Sequence, residues 1–132
     1  MKSLTKKEKQ TMLDDFGKVL VKEVRDRALR ISMKIVTQET VNSVKLKQYN
    51  SLQNLSIQQQ NNICDLLSET ITDTIYLFLE MFEEYEDQMK LIVMKDGKEY
   101  DMINITEKMG GEIVFHENGW IQRFSEIGRF VL

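Results

Sequence analysis

The sequence predicts an α+β fold, a long antiparallel helical hairpin followed by a small antiparallel β-sheet. Three observations carry this. Proline is absent from the 132 residues, so nothing imposes a break on a helix. Two stretches before residue 90 repeat apolar side chains every three or four positions, the spacing of one helical face. Beyond Met89 the pattern gives way to short apolar runs separated by Asp-Gly and Asn-Gly, the residues of tight hairpin turns. The length suits a single domain over 1–132, with the helical hairpin in 1–89 and a β-hairpin-containing part in 90–132.

Helix one is expected over roughly 6–37. Thr5-Lys6-Lys7-Glu8 is a capping-box pattern, in which Thr5 and Glu8 satisfy each other's backbone N–H groups. Leu13, Phe16, Leu20, Val24, Ala28, Ile31 and Ile35 then mark the apolar face. Gly17 weakens this helix by about 1 kcal/mol relative to alanine without ending it. The β-branched, polar stretch 37–44 frays or bends into a connector, and 45–56 reads as a loop or a short extra turn. Ser56-Ile57-Gln58-Gln59 is a second capping box and starts helix two. Its apolar face is Ile63, Leu67, Ile71, Ile75, Phe78, Phe82, Tyr85 and Met89. Two strands should flank Asp96-Gly97. A short turn over 104–107, ended by Gly110-Gly111, precedes two more strands, 112–115 and 120–124, around Asn118-Gly119.

Composition excludes several chemistries. Apolar residues at 42% and charged residues at 30% describe a globular chain, neither disordered nor membranous. The N-terminus runs into charged residues with no apolar stretch behind it, and no apolar run reaches the length of a membrane span. A reduced cytoplasmic setting follows as the expectation. One cysteine, Cys64, and one histidine, His116, leave no internal disulfide, no Cys/His zinc cluster and no C-x-x-C redox motif. Cys64 falls within the apolar arc of helix two and reads as a buried thiol. His116 sits in a turn with no oriented neighbour or nucleophile to make it a general base. Phosphate-binding and hydrolase glycine motifs are absent, so neither a catalytic residue nor a cofactor is expected.

The net charge of −3 conceals opposed blocks. Residues 1–47 hold 12 Lys/Arg against 6 Asp/Glu, whereas 65–89 hold 8 Asp/Glu and no Lys/Arg. At about 100° per residue, Glu69, Asp73, Glu80, Glu84 and Asp87 fall within an arc of about 60° on helix two. This face either lies against Lys18, Lys22, Arg25, Arg27, Arg30 and Lys34 of helix one or meets a basic protein partner. Basic residues on helix one are interleaved with Asp14, Asp15, Glu23 and Asp26, which argues against nucleic acid as the partner. The segment 119–125 holds Trp120, Arg123 and Phe124, with Trp120 and Arg123 the candidate interface anchors and a core role for the Trp the competing reading.

The acidic helical face, the missing catalytic apparatus and the Asn118-Gly119-Trp120 segment together resemble small bacterial immunity proteins of polymorphic-toxin systems. The resemblance implies a cytosolic protein that binds a cognate toxin and blocks its active site or substrate groove. Against a nuclease, Glu80, Glu84 and Asp87 would stand where phosphates bind. Two other classes stay open: a Mg²⁺-dependent nucleotide hydrolase using helix carboxylates, and a structural helical oligomer.

Overall fold

The computed structural model describes residues 3–106, 108–113 and 118–127. The first long helix runs through three consecutive segments: α1 (Lys6–Val19), a π-helical stretch (Leu20–Asp26) and α2 (Arg27–Val36). The Thr5 capping box is formed: Glu8 N–H donates to Thr5 Oγ1 and Thr5 N–H to Glu8 Oε1, both at 3.1 Å. The helix stops at Gln38, which takes φ +61°. There Glu39 N–H donates to Lys34 O and Gln38 N–H to Ile35 O, the paired bonds that close a Schellman motif. A short helix, α3 (Ser43–Gln48), and a 3₁₀ turn (Asn50–Asn54) fill the connector. The Ser56–Gln59 capping box then opens α4 (Ile57–Glu84).

The α4 helix ends earlier than its apolar spacing predicts. Glu83, Glu84, Glu86 and Asp87 crowd its C-terminal end, where the helix dipole disfavours anions and no basic residue compensates. Strands β1 (Ile92–Lys95) and β2 (Lys98–Asp101) form the expected hairpin, with Lys95 paired to Lys98 across Asp96-Gly97. Positive φ at both turn residues, +53° and +78°, is the conformation that a two-residue loop demands.

The other two expected strands need correction. Gly110–Glu112 is a 3₁₀ turn, and 114–117, with the rest of the expected third strand and His116, lie outside the described residues. Trp120–Phe124 is a short helix, α5, preceded by Gly119 in extended conformation. Its inward residues are Trp120, Ile121 and half-buried Phe124, an i, i+1, i+4 pattern that suits a helix and not a strand. The expected 104–107 turn is displaced to a 3₁₀ turn at Met102–Asn104, and Glu107 lies outside the described residues.

The apolar face of the first long helix is also shifted. Its buried positions are Met12, Leu13, Gly17, Val21, Arg25, Asp26, Leu29 and Val36, whereas Val24 and Ile31 stay 48% and 58% exposed. A π turn accommodates one extra residue, so every inward position beyond it moves on by one. The main core joins Leu13 and Val21 to Ile75 and Leu79 of α4. Met102, Met109, Ile113, Trp120 and Ile121 of the C-terminal part complete it. Beyond the two-stranded β1–β2 sheet, the C-terminal segment therefore packs onto the helical layer.

Cys64 is fully buried beside Val36, as its place in the apolar arc predicts. Burial pushes its thiol above the ordinary range, and the neighbouring Asp65 charge adds to the effect. An aromatic disulfide reagent should therefore label the native protein at least about a hundredfold more slowly than the unfolded chain, since access requires opening of the helix pair. Fast stoichiometric labelling of the native state would contradict this packing.

Candidate functional site

Glu69, Asp73 and Glu84 project from the exposed side of α4, and Asp87 follows just past its end, also exposed. Ion pairs among the described residues leave this face alone. Lys22 and Arg30 reach Glu126 at 3.9 and 2.7 Å, Arg25 meets Asp26, and Arg123 meets Asp14 at 2.8 Å. Lys22, Arg25 and Arg30 of the first helix thus pair with its own Asp26 and with Glu126 of the C-terminal segment, not with the acidic stripe of α4. Among the described residues, Glu69, Asp73, Glu84 and Asp87 make no ion pair.

Glu80 belongs to the sequence stripe but has a different setting. It is half-buried, hydrogen-bonded to Tyr76 and packed against Gly110. A Cβ at Gly110 would lie 2.9 Å from Glu80 Oε1 and 3.1 Å from Tyr76 Cδ2. The Glu80 charge pushes the Tyr76 phenol up, with desolvation and then Glu83 and Glu84 adding to it. Glu83, one residue short of the exposed stripe, accepts the Met109 N–H. These two carboxylates anchor the 109–112 turn to α4, whereas Glu69, Asp73, Glu84 and Asp87, with Glu86 beside the last two, are exposed.

The two anchors expected from the C-terminal segment separate as well. Trp120 is 0% exposed and packs edge-on against Phe16, with ring centroids 5.7 Å apart. Its indole fills the notch left by Gly17, so the residue serves the core and its ring is not presented to a partner. Arg123 is accessible, but it stacks on Phe124 and pairs with Asp14 on the rim of an open groove of about 470 Å³. Gln10, Glu112 and Asn118 line the remainder of that groove.

One polar constellation was not assembled from the sequence. Arg25 and Asp26 are both fully buried in the π-helical stretch. Arg25 Nη1 donates to Asp26 Oδ1 at 2.7 Å and to Ser125 Oγ at 3.0 Å. Its Nε donates to Thr72 Oγ1 and its Nη2 to Ser68 Oγ. Asp26 accepts in turn from Ser125 Oγ and from the Glu126 N–H. Desolvation pulls the Arg25 guanidinium below its ordinary range while Asp26 opposes that shift. The visible signal was Ser68 and Thr72, two hydroxyls one turn apart amid an apolar face. Chemically the cluster is a structural tie: every oxygen is engaged, and no side chain is left to act on a substrate.

Among the described residues, no three of His, Cys, Asp and Glu converge to hold a metal ion, and no helix is long and apolar enough to cross a membrane. Comparison with protein-family models, with curated proteins and with solved structures found no match.

Proposed function

We propose that this chain is a non-catalytic cytoplasmic interaction protein, of the kind that neutralises a cognate toxin, and that its acidic α4 surface docks a basic protein partner. The observation that supports this is that, among the described residues, Glu69, Asp73, Glu84 and Asp87 have no ion pair, while Lys22, Arg25 and Arg30 of the first helix pair with Asp26 and Glu126. Leaving like charges together on one helix face opposes folding slightly, and a basic partner converts that unfavourable field into steering and specificity. Leu66 and Leu77 are exposed along the same side of α4 and supply apolar contact within the charged surface.

Affinity capture from the native host, followed by association kinetics on the captured partner, tests this reading. Changing Glu69, Asp73, Glu84 and Asp87 to lysine should lower the association rate at least about tenfold at low salt and flatten its salt dependence. Where the partner is toxic, the same variant should fail to relieve toxicity on co-production. A partner that binds the quadruple variant at an unchanged rate and salt slope would overturn the acidic-surface reading.

A further inference from the structure

A straight α-helix over 6–36 would turn a different set of side chains inward from the set observed. Counted at about 100° per residue, Leu13, Gly17, Val24, Ala28, Ile31 and Ile35 fall within an arc of about 60°. They draw one apolar line along the whole helix. The seven-residue π stretch at Leu20–Asp26 interrupts that line. Beyond it, Arg25, Leu29 and Val36 are buried, each one position after a member of the line, and Asp26 is buried beside Arg25. Val24 is left 48% exposed. The chain therefore carries two inward sets one residue apart: Arg25, Leu29 and Val36 with the π turn, or Val24, Ala28 and Ile35 without it.

We propose that the π stretch is a two-position switch: the second half of the first helix slips by one residue into a straight α-helix, and the slip unfastens residues 125–127. In the slipped position Val24 takes the place of Arg25, Ala28 that of Leu29 and Ile35 that of Val36. Arg25 and Asp26 turn about 100° away, so Ser125 Oγ loses both and the Glu126 N–H loses Asp26. Ile127, packed in the cluster of Val36 and Cys64, loses Val36 as well. Ser68 and Thr72 lose Arg25 but keep a partner within reach, since a helical hydroxyl bonds to the carbonyl one turn back. Thr74 already does this to Thr70 O. Opposing effects hold the two positions close in free energy. The observed one buries Leu29 and keeps two charges out of water. The slipped one hydrates both charges and restores regular α-helical hydrogen bonds, but fills the larger place of Leu29 with only Ala28. The slip moves the helix end by about 1.5 Å, which the non-helical residues between Val36 and Ser43 absorb. Trp120 stays seated, because Phe16 and Gly17 lie ahead of the π stretch.

Ala28→Leu/Leu29→Ala exchanges two neighbours and puts the larger side chain where the slipped position needs it. A thiol introduced by Val24→Cys reports the slip, since position 24 is half exposed as observed and Cys64 is buried. With the exchange, that thiol should label at least about tenfold more slowly. The Glu126 and Ile127 amides should gain at least about tenfold in hydrogen-exchange rate beyond any gain in the middle of α4. Ala28→Leu alone, which removes no side chain, should move both readings the same way by a smaller factor. Deleting exposed Glu23 should do the reverse: the helix becomes straight with Arg25, Leu29 and Val36 still inward, and the two amides exchange more slowly than in the unaltered protein. Labelling at position 24 that stays fast, exchange at 126 and 127 that only follows α4, or undiminished exchange there on deletion of Glu23 would each overturn the switch. No partner enters these measurements, so their failure is distinct from failure of the capture experiment.

Discussion

Replacing Trp120 with alanine should destabilise the protein by about 3–5 kcal/mol, a large share of the roughly 5–15 kcal/mol that holds a domain folded. The indole is completely buried against Phe16 and completes the core that joins the C-terminal segment to the helices. Urea denaturation followed by circular dichroism measures the loss as a lower midpoint at constant slope. The reciprocal change is more diagnostic. Gly17→Ala in an ordinary helix interior gains about 1 kcal/mol. Here the added Cβ would overlap Trp120 Cε2 and lie 2.5 Å from Cδ2 and Nε1, so the indole must leave its site. We expect a net loss of about 1–3 kcal/mol, the range of overpacked cores. Combining Gly17→Ala with Trp120→Leu should lose less than the two single changes summed, because the smaller side chain vacates the notch. A stabilising Gly17→Ala would refute the contact. Trp120 Nε1 has no hydrogen-bond partner among the described residues, so Trp120→Phe should be much milder than truncation to alanine.

Local rules carried the sequence reading furthest. Both capping boxes, the Asp96-Gly97 hairpin and the buried Cys64 depend on a few neighbouring residues, and each is found where local chemistry places it. Gly17 shows where such rules stop: its helix penalty is legible in isolation, but its use as a seat for Trp120 depends on a residue over a hundred positions away. The same limit applies to α5, where Trp120-Ile121-Gln122-Arg123-Phe124 has the β-propensity of a strand and is helical because its three inward residues pack on α1. The apolar period of the first helix was correct up to the π-helical stretch and one residue out of step beyond it. A fixed 3.6-residue period brings Val24 inward. The fold instead brings in Arg25 and Asp26, two charges that no hydrophobic pattern selects. Of the candidate site, the exposed carboxylates at 69, 73 and 84 were legible because an α-helix of known start projects them predictably. The internal duties of Glu80 and Trp120 were not, since both arise from segments that return to the helices later in the chain.

Arg25→Met should destabilise by about 3–5 kcal/mol, because it strands the Asp26 carboxylate in the interior with only Ser125 Oγ and the Glu126 N–H to solvate it. Asp26→Asn should cost a comparable amount by leaving the guanidinium buried without its counter-charge. Replacing both residues with apolar side chains of similar volume should lose far less than the sum, since desolvation of two charges offsets much of their attraction. Stability alone does not separate this network from any other buried pair, but hydrogen exchange does. The Glu126 amide donates to Asp26 Oδ2 and the Ile127 amide to Ser125 Oγ, so both amides report directly on the tie. In Arg25→Met these two should exchange at least about tenfold faster than can be accounted for by the global loss, while amides in the middle of α4 follow global unfolding. Uniform acceleration across the chain would mean that the pair stabilises the helical layer as a whole and does not specifically hold the C-terminal segment. Segment-selective release would explain why the first helix tolerates a π turn at Leu20–Asp26: the extra residue brings a charged pair inward, and that pair fastens residues 125–127 across both long helices.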